Sequence, residues 1–197
     1  MSAQGIIDAS LRLFAQEGYN GASLARIADE VGMKKSSIYA HFSGKEDLFL
    51  KVFEQVLHHQ LERTEQLAAD IKQLSVEERL YRILLDNIQY FLEREEETAF
   101  LKRAMLFPPA SLKEKLRARF LKSEEMLSEL LSSIFREGIR SGQIRPLALE
   151  DLLASYYCLL DGAFIQLFYY GRTGMETRVD SVWKIFWSGV ADHRNGG

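Results

Sequence analysis

Residues 7 to 49 hold the pattern that most restricts how this chain can fold. Three short amphipathic segments follow one another there, and the first two end at Gly18 and Gly32. Only the turn Gly32-Met33-Lys34 separates the second segment from the third. Helices joined by so short a turn are typical of a helix-turn-helix, whose second helix enters the major groove of DNA. The pattern therefore predicts a partner, duplex DNA.

Local chemistry supports three helices in this region. Ser23 is a good N-cap for the second helix, because its hydroxyl can accept from an otherwise unpaired backbone N–H. Gly32 can adopt the left-handed conformation that lets the chain reverse. Ile38 and Phe42 are spaced to point inward from the third helix. The residues left to face outward are polar, cationic or aromatic, which suits contacts to phosphates and base edges.

This region resembles the DNA-binding domain of TetR-family transcriptional regulators. The resemblance rests on the stretches IDAS, LFAQEGY, IADEVG, IYAHF and GKEDL and on the serine before the second helix. The chain differs from the family at Lys34, where serine is common, and at Ser36, where glycine or proline is common. The resemblance and the helical patterning together predict an all-α fold of about nine helices. Residues 1–46 would form a three-helix DNA-binding domain, and residues 47–197 a larger helical domain for ligand binding and dimerisation.

The predicted DNA-binding residues divide by role. Lys35, Ser36 and Ser37 would lie over base edges, and Tyr39 would contact the backbone or a thymine methyl group. His41 and Lys45 would bind phosphates, whereas Lys34 suits either role. Ser23 would cap the second helix and turn its N-terminus toward a phosphate, and Arg26 is either a further phosphate contact or a surface charge.

Charge and composition agree with an intracellular DNA-binding protein. The formal net charge is −3, but Val31 to Lys45 contains three lysines and no acidic residue. A single cysteine, Cys158, excludes an intrachain disulfide. We expect a cytoplasmic protein without a membrane span, since no apolar run approaches roughly 18 residues. Neither a catalytic constellation nor a metal or cofactor site is expected; His58 and His59 are adjacent and cannot clamp one metal ion.

The remainder of the chain has helical periodicity. A fourth helix is predicted from Lys45, a fifth after the capping box Ser75-x-x-Glu78, and a sixth from about Thr98 to the break at Pro108. One long seventh helix is predicted to end between Gly138 and Gly142. An eighth is predicted from Leu149 to Tyr170, a ninth from Thr177 to Val190, and a frayed tail from His193 to Gly197.

The eighth predicted helix is apolar on nearly all sides. Such a helix must be buried on all sides, and a second chain is the simplest cover in a protein of this size. The resemblance implies that the last two helices form a four-helix dimer interface. The predicted interface residues are Tyr156, Leu160, Ala163, Leu167, Val182, Trp183 and Phe186. The alternative is that the eighth helix is the central helix of a monomeric bundle.

Aromatic residues with interspersed polar groups predict a small-molecule site in the larger domain. The predicted ligand-binding residues are Asn87, Phe91, Arg103, Phe107, Phe120, Tyr157 and Asp161. The alternative for each is a packed core or interface residue, since aromatic stripes at helical spacing are mostly core.

The sequence thus favours a homodimeric regulator that binds an operator in double-stranded DNA. We expect a repressor released from a palindromic operator by a small hydrophobic or aromatic effector. A DNA-associated adaptor of the same fold, acting through a protein partner without a ligand, is the alternative. A helical carrier with a vestigial helix-turn-helix is disfavoured, because its cationic residues would have no reason to share a face.

Overall fold

The computed structural model describes residues 2–192, apart from the side chain of Glu176. Within that range the regular elements are α-helices, and one isolated antiparallel bridge joins Ile144 to Ala191. This confirms the predicted all-α fold. The predicted tail from His193 to Gly197 lies outside the described residues. The helices are α1 (Ala3–Gly21), α2 (Leu24–Glu30), α3 (Lys35–Ile38), α4 (Lys45–Asp70), α5 (Val76–Glu93), α6 (Glu95–Leu106), α7 (Lys113–Ser123), α8 (Glu125–Arg140) and α9 (Leu149–Val190).

The first of two compact units combines Met1–Glu62 with Arg94–Glu124. Its core contains the fully buried rings of Phe14, Phe53 and Phe100. Because Phe100 belongs to α6, that helix shares a core with α1 and α4. The compact units therefore do not coincide with a division at residue 46. The functional division into DNA-binding and ligand-binding parts stays a prediction.

The backbone of the helix-turn-helix follows the sequence-based expectations. Gly18 breaks α1 in the left-handed region with φ 72°, and Gly32 has φ 67° between α2 and α3. Ser23 caps α2 by accepting from the backbone N–H of Arg26 at 3.3 Å. The predicted cap and the predicted left-handed turn are both confirmed. Together they fix the path of the chain into α3.

The second compact unit combines Arg63–Glu93 with Glu125–Gly197. Helices α5, α8 and α9 pack pairwise in it. Tyr156 lies at the centre of the core, and its hydroxyl donates to the Leu80 carbonyl at 2.5 Å. The predicted capping box at the start of α5 is confirmed: the backbone N–H of Ser75 donates to the Glu78 carboxylate at 2.9 Å. The backbone N–H of Glu78 donates in return to the Ser75 hydroxyl at 3.2 Å.

Two helix boundaries differ from the prediction. The predicted long seventh helix is two helices, α7 and α8, which meet at Glu124. No glycine or proline marks that junction, so composition could not reveal it. Conversely, the predicted eighth and ninth helices follow each other directly in α9. The break there is a single residue, Gly171, with φ 64° and ψ −171°.

The segment Leu149–Met175 of α9 is long and apolar enough to cross a membrane by length and composition alone. The sequence has no unbroken apolar run of roughly 18 residues, and this segment meets the test on its mean hydropathy. Core and interface helices of globular proteins pass the same test, and Asp161 interrupts the segment. Only 22% of the apolar window is buried in the single chain. Much of its surface is therefore available to a partner.

Candidate nucleic-acid interface and effector groove

The cationic face predicted for the third helix is exposed in the structure. Ile38 and Phe42 are buried in the core of the first unit and hold α3 against α2. Helix α3 itself ends at Ile38, and the backbone N–H groups of His41 and Phe42 donate to its carbonyl at 2.9 and 3.0 Å. Solvent-exposed side chains on this face are those of Lys34, Lys35, Ser36, Tyr39 and His41, and Ser37 is half-buried. This arrangement can present cations and hydrogen-bonding groups to a DNA groove.

A second set of contacts fixes α3 relative to α4. The Asp47 carboxylate accepts from the backbone N–H of Ser43 at 2.8 Å and from the Ser43 hydroxyl at 3.2 Å. Asp47 lies in the first turn of α4, where a carboxylate is also favoured by the helix dipole. The turn that follows α3 is thereby pinned to the helix that comes next.

Lys45 has a structural role that the sequence did not reveal. Its ammonium group donates to the carbonyls of Tyr19 at 2.8 Å and Ala22 at 3.2 Å, and it lies 4.2 Å from the centre of the Tyr19 ring. Two of its three N–H donors are thus used to join the end of α1 to the start of α4. Phosphate binding by Lys45 stays a prediction, with one N–H donor of its ammonium group left for such a contact. The first role of Lys45 is to hold the helix-turn-helix together.

Arg26 is also engaged within the protein. Its guanidinium forms an ion pair with Glu17 of α1, and the Arg26 side chain is half-exposed. This contact supports the reading of Arg26 as a surface charge that braces α2 against α1. A phosphate could recruit the guanidinium only in competition with Glu17.

The structure separates the predicted ligand-binding residues into two groups. Arg103, Phe107 and Phe120 belong to the first unit, whereas Asn87, Phe91, Tyr157 and Asp161 belong to the second. Arg103 and Phe107 of the first group line a groove of about 340 Å³ beside Gly18 and Phe49. Phe107 is 77% exposed, whereas Phe120 packs against the core. Arg103 donates to two backbone carbonyls of α1. Arg103 therefore both caps α1 and lines this groove, whereas Phe120 packs against the core.

In the second unit, the predicted ligand-binding residues have separate contacts. Phe91 packs edge-on against Phe164 at 4.7 Å, but the Asn87 amide donates back to the Ile83 carbonyl of its own helix at 2.9 Å. Tyr157 packs against the core. Partial burial raises the pKa of the Asp161 carboxyl above its ordinary value. The hydrogen bond to Ile83 holds the Asn87 amide against its own helix, α5.

A groove that the sequence did not predict lies between α5 and the two segments of α9. It has a volume of about 200 Å³. Its lining is mainly apolar, with one amide and one guanidinium; the residues are Leu84, Cys158, Leu159, Gly162, Ala163, Gln166, Met175, Arg178, Val179 and Val182. The Arg178 guanidinium lies 3.5 Å from the centre of the Tyr170 ring. Because these residues are distant in sequence and come together only at the Gly171 break, periodicity alone could not identify them.

The predicted dimer residues are mostly inside the chain's own core. Tyr156, Leu160, Leu167 and Trp183 are buried by helices of the same chain, so little surface remains for a partner. Their place in a dimer interface stays a prediction, and burial within the single chain argues against it. Ala163 and Phe186 are half-buried, and only Val182 is clearly exposed, at 43%.

The opposite face of α9 is apolar and exposed. Before Gly171 this exposed face carries small and aromatic side chains, and after it Ile185 is 75% exposed. The exposed members of this face are Ala154, Cys158, Phe168, Tyr169, Val182 and Ile185. We name it the α9 face. An apolar helix surface of this kind is typical of a protein–protein interface.

Comparison with known proteins identifies the N-terminal segment. Residues 6–52 match the model for bacterial regulatory proteins of the tetR family. The fatty acid metabolism regulator protein of Bacillus subtilis is 26% identical over 140 residues, which are 71% of this chain and 69% of that protein. The transcriptional repressor AcnR of Corynebacterium diphtheriae is 26% identical over 186 residues, covering 91% and 87% of the two chains.

Solved structures show the same fold over nearly the whole chain. The regulator FadR from Bacillus subtilis, crystallised with stearoyl-CoA, superposes with a TM-score of 0.78 at 21% identity. The match covers 95% of this chain and 99% of that chain. FadR from Bacillus halodurans superposes with a TM-score of 0.75 at 18% identity, covering 95% and 99% of the two chains. These relatives are transcriptional regulators rather than enzymes.

Proposed function

We infer that this chain, which belongs to the TetR family of bacterial transcriptional regulators, is a cytoplasmic homodimer that represses transcription from a palindromic operator. The exposed face of α3 carries this inference, because it presents Lys34, Lys35 and Tyr39 with no acidic residue between Val31 and Lys45. Lys35 and Ser36 would read base edges, and Lys34 and His41 would bind phosphates. A relative named as a repressor supports the direction of regulation.

The α9 face supports the proposed dimer. Its exposed apolar residues lie on both of the α9 segments that meet at Gly171, so two copies could pack these segments together about a two-fold axis. Two-fold symmetry in the protein would be matched by an operator with two half-sites, about one helical turn apart. The interface would include Ala154, Tyr169 and Ile185 rather than the buried Tyr156 and Trp183.

We further propose that the effector carries a long unbranched acyl chain. The groove of about 200 Å³ is smaller than the roughly 300–1,000 Å³ of sites for drug-sized ligands. A slim chain therefore suits it better than a fused ring system. Leu84, Met175 and Val179 would contact the chain, and Gln166 or Arg178 would bind a carbonyl or phosphate at its end. The name of the Bacillus subtilis relative and the ligand of its structure support this class.

The release mechanism would be a shift between two conformations of the same protein. Helix α4 begins next to α3 and continues to Asp70. At its start, Lys45 and Asp47 fix it to the helix-turn-helix. Near its end, Arg63 donates to Asp86 of α5 at 2.8 Å and to Glu93 at 3.0 Å. Because α5 also lines the groove through Leu84, a ligand that moves α5 would act on α4.

Selection of the purified protein against randomised duplex DNA tests the DNA-binding part. We expect enrichment of a two-fold palindrome with a fixed spacing. Absence of enrichment at a salt concentration low enough for nonspecific binding would remove the sequence-specific regulator and favour the adaptor.

Thermal unfolding with palmitoyl-CoA, and with coenzyme A as control, tests the effector. The acyl form should raise the Tm and lower operator affinity, and coenzyme A alone should do neither. Gly162→Leu should block the effect, because Gly162 lines the groove and has open space beside it. Gly189→Leu is the same enlargement at an exposed glycine of α9 that also has open space beside it but lies outside the groove, and it should leave the effect intact. A raised Tm with unchanged DNA affinity would contradict release by the ligand.

A further inference from the structure

Helix α7 carries a cationic surface that the helix-turn-helix does not explain. Leu112 and Leu116 bury one side of the helix in the core of the first unit. Most of its cations face solvent, and Glu114 is the acidic residue among them. The cations of this helix are Lys113, Lys115, Arg117, Arg119 and Lys122.

Two contacts place the start of α7 beside the start of α4. The Ser111 hydroxyl donates to the Glu46 carboxylate at 2.9 Å, and Lys115 Nζ lies 3.9 Å from the same carboxylate. Glu46 is the second residue of α4, only eight positions after the end of α3 at Ile38. The first turn of α7 therefore lies at the same level as the start of the helix that follows the recognition helix.

A third contact shows that α7 leads away from this level. Arg119 Nε donates to Glu54 of α4 at 2.8 Å. Glu54 is eight residues further along α4 than Glu46. The later turns of α7, including Lys122, thus lie further from the helix-turn-helix than its first turn does.

The first-turn lysines are free to bind another anion. Within the described residues Lys113 has no ion pair, and Lys115 pairs with Glu46 only at 3.9 Å with both side chains about half-exposed. Such an exposed pair is worth little and is easily exchanged. Side chains on a helix lean toward its N-terminus. Both ammonium groups are therefore directed toward the end of α7 that lies nearest the proposed DNA contact.

We propose that Lys113 and Lys115 bind phosphates of duplex DNA that flank the base pairs read by α3. Each protomer would then contact a longer stretch of backbone than its helix-turn-helix covers. Glu114 and Glu46 are the nearby acidic groups, and Lys115 would exchange Glu46 for a phosphate. This inference rests on the proposed DNA-binding function, and it adds a contact surface outside the helices that carry that function.

Salt dependence of operator binding tests the proposal. The probe is the operator recovered by selection, in a long form with flanking base pairs and a short form trimmed to the palindrome. The plot of log K against log salt has a negative slope. Each lost phosphate contact should reduce the magnitude of that slope by about 0.9. Lys113→Gln with Lys115→Gln should therefore flatten the slope by about 1.8 for each protomer on the long duplex. The short duplex should show no difference from the unchanged protein.

Lys122→Gln is the matched control. Lys122 is an exposed lysine of the same helix, about 10 Å beyond Lys115 along its axis. Lys122→Gln should leave the salt slope unchanged on both duplexes. All variants should unfold at the same temperature as the unchanged protein. An equal effect from Lys122→Gln would overturn the proposal in favour of a general charge effect.

Two other results overturn the proposal in distinguishable ways. If the double variant binds both duplexes like the unchanged protein, the flanking contact is absent while the regulator function stands. If the unchanged protein binds no duplex, both the flanking contact and the regulator function are contradicted. Because Leu121 of α7 and the nearby Leu106 and Phe107 are exposed, binding to lipid vesicles is measured as well. Loss of binding to phosphatidylglycerol vesicles by the double variant, with an unchanged DNA slope, would assign α7 to a membrane surface instead.

Discussion

Arg103 of α6 donates through Nε to the carbonyl of Ala15 in α1 at 2.8 Å. A second donor of the same guanidinium, Nη2, reaches the Gln16 carbonyl at 2.9 Å. These carbonyls lie just before Gly18, where α1 breaks and its last backbone acceptors lose their helical partners. Arg103 therefore acts as a C-terminal cap supplied by another helix. It ties α6 to the helix that leads into the helix-turn-helix.

Arg103→Gln should lower the free energy of unfolding by about 1 kcal/mol, because charge-assisted hydrogen bonds at a solvent-accessible site are lost. Operator affinity should fall modestly without a change in salt slope, since Arg103 positions α1 and does not contact phosphate. Arg103→Lys keeps the charge but not the planar fork, so it should restore the stability only in part. Chemical denaturation and fluorescence anisotropy measure the two effects. A flattened salt slope in Arg103→Gln would instead indicate direct DNA contact.

Lys35 and Lys45 should respond differently to alanine substitution. Lys35→Ala should change the ranking of operator sequences while leaving stability within about 0.5 kcal/mol, because Lys35 is exposed. Lys45→Ala should cost about 1–2 kcal/mol of stability, since two charge-assisted hydrogen bonds to backbone carbonyls disappear. Lys51→Ala, on an exposed position of the same helix, is the control and should do neither. Equal weakening of all operator sequences by Lys35→Ala would contradict its proposed role in base reading.

Ile185→Glu should convert the proposed dimer to a monomer. Ile185 is 75% exposed in the single chain, and a carboxylate buried there against a partner would lack a counter-charge. Sedimentation velocity should show a shift to the monomer mass, with operator affinity reduced at least tenfold. Leu74→Glu places the same charge at an exposed leucine outside the α9 face and should stay dimeric. If the Ile185→Glu variant remains dimeric, the interface lies outside the α9 face.

The Arg79–Glu137 pair should make stability depend on pH in the acid range. Arg79 Nη2 donates to the Glu137 carboxylate at 2.5 Å, and this hydrogen bond lowers the pKa of Glu137. A lowered folded-state pKa gives stability that is present above the unfolded value near 4.3 and is lost as pH falls through the folded value. Glu137→Gln should therefore cost about 1 kcal/mol at pH 7, after allowance for solvent screening. The difference should shrink below about pH 4 in urea unfolding curves; a constant difference would contradict the ion pair.

The helix-turn-helix was predictable because its determinants are local. Ser23, Gly32 and the inward pair Ile38 and Phe42 act within a few residues of one another, so spacing alone specified the cap, the turn and the buried face. The same reasoning gave the capping box at Ser75.

Contacts between distant segments could not be read in this way. Arg103 and Ala15 are 88 positions apart, and an arginine between aromatic residues looks the same whether it meets a ligand or a helix end. Helix α9 posed a different difficulty, because apolar residues occupy both of its faces. Periodicity could not separate an internal side from an exposed one. Packing against α5 and α8 showed that the side carrying Tyr156 is internal.

The break at Gly171 makes the protein vulnerable to domain swapping. Its φ of 64° and ψ of −171° lie in a region that other residues rarely adopt. Gly171→Ala would favour a straight helix and draw the segment containing Trp183 away from Tyr81 of its own chain. The segment could then dock in the same place on a second chain, because the contacts are identical. We expect Gly171→Ala to yield interlocked oligomers that separate on size exclusion only after unfolding. The backbone conformation of Gly171 thus determines whether the Trp183 segment packs against Tyr81 of its own chain or of a second chain.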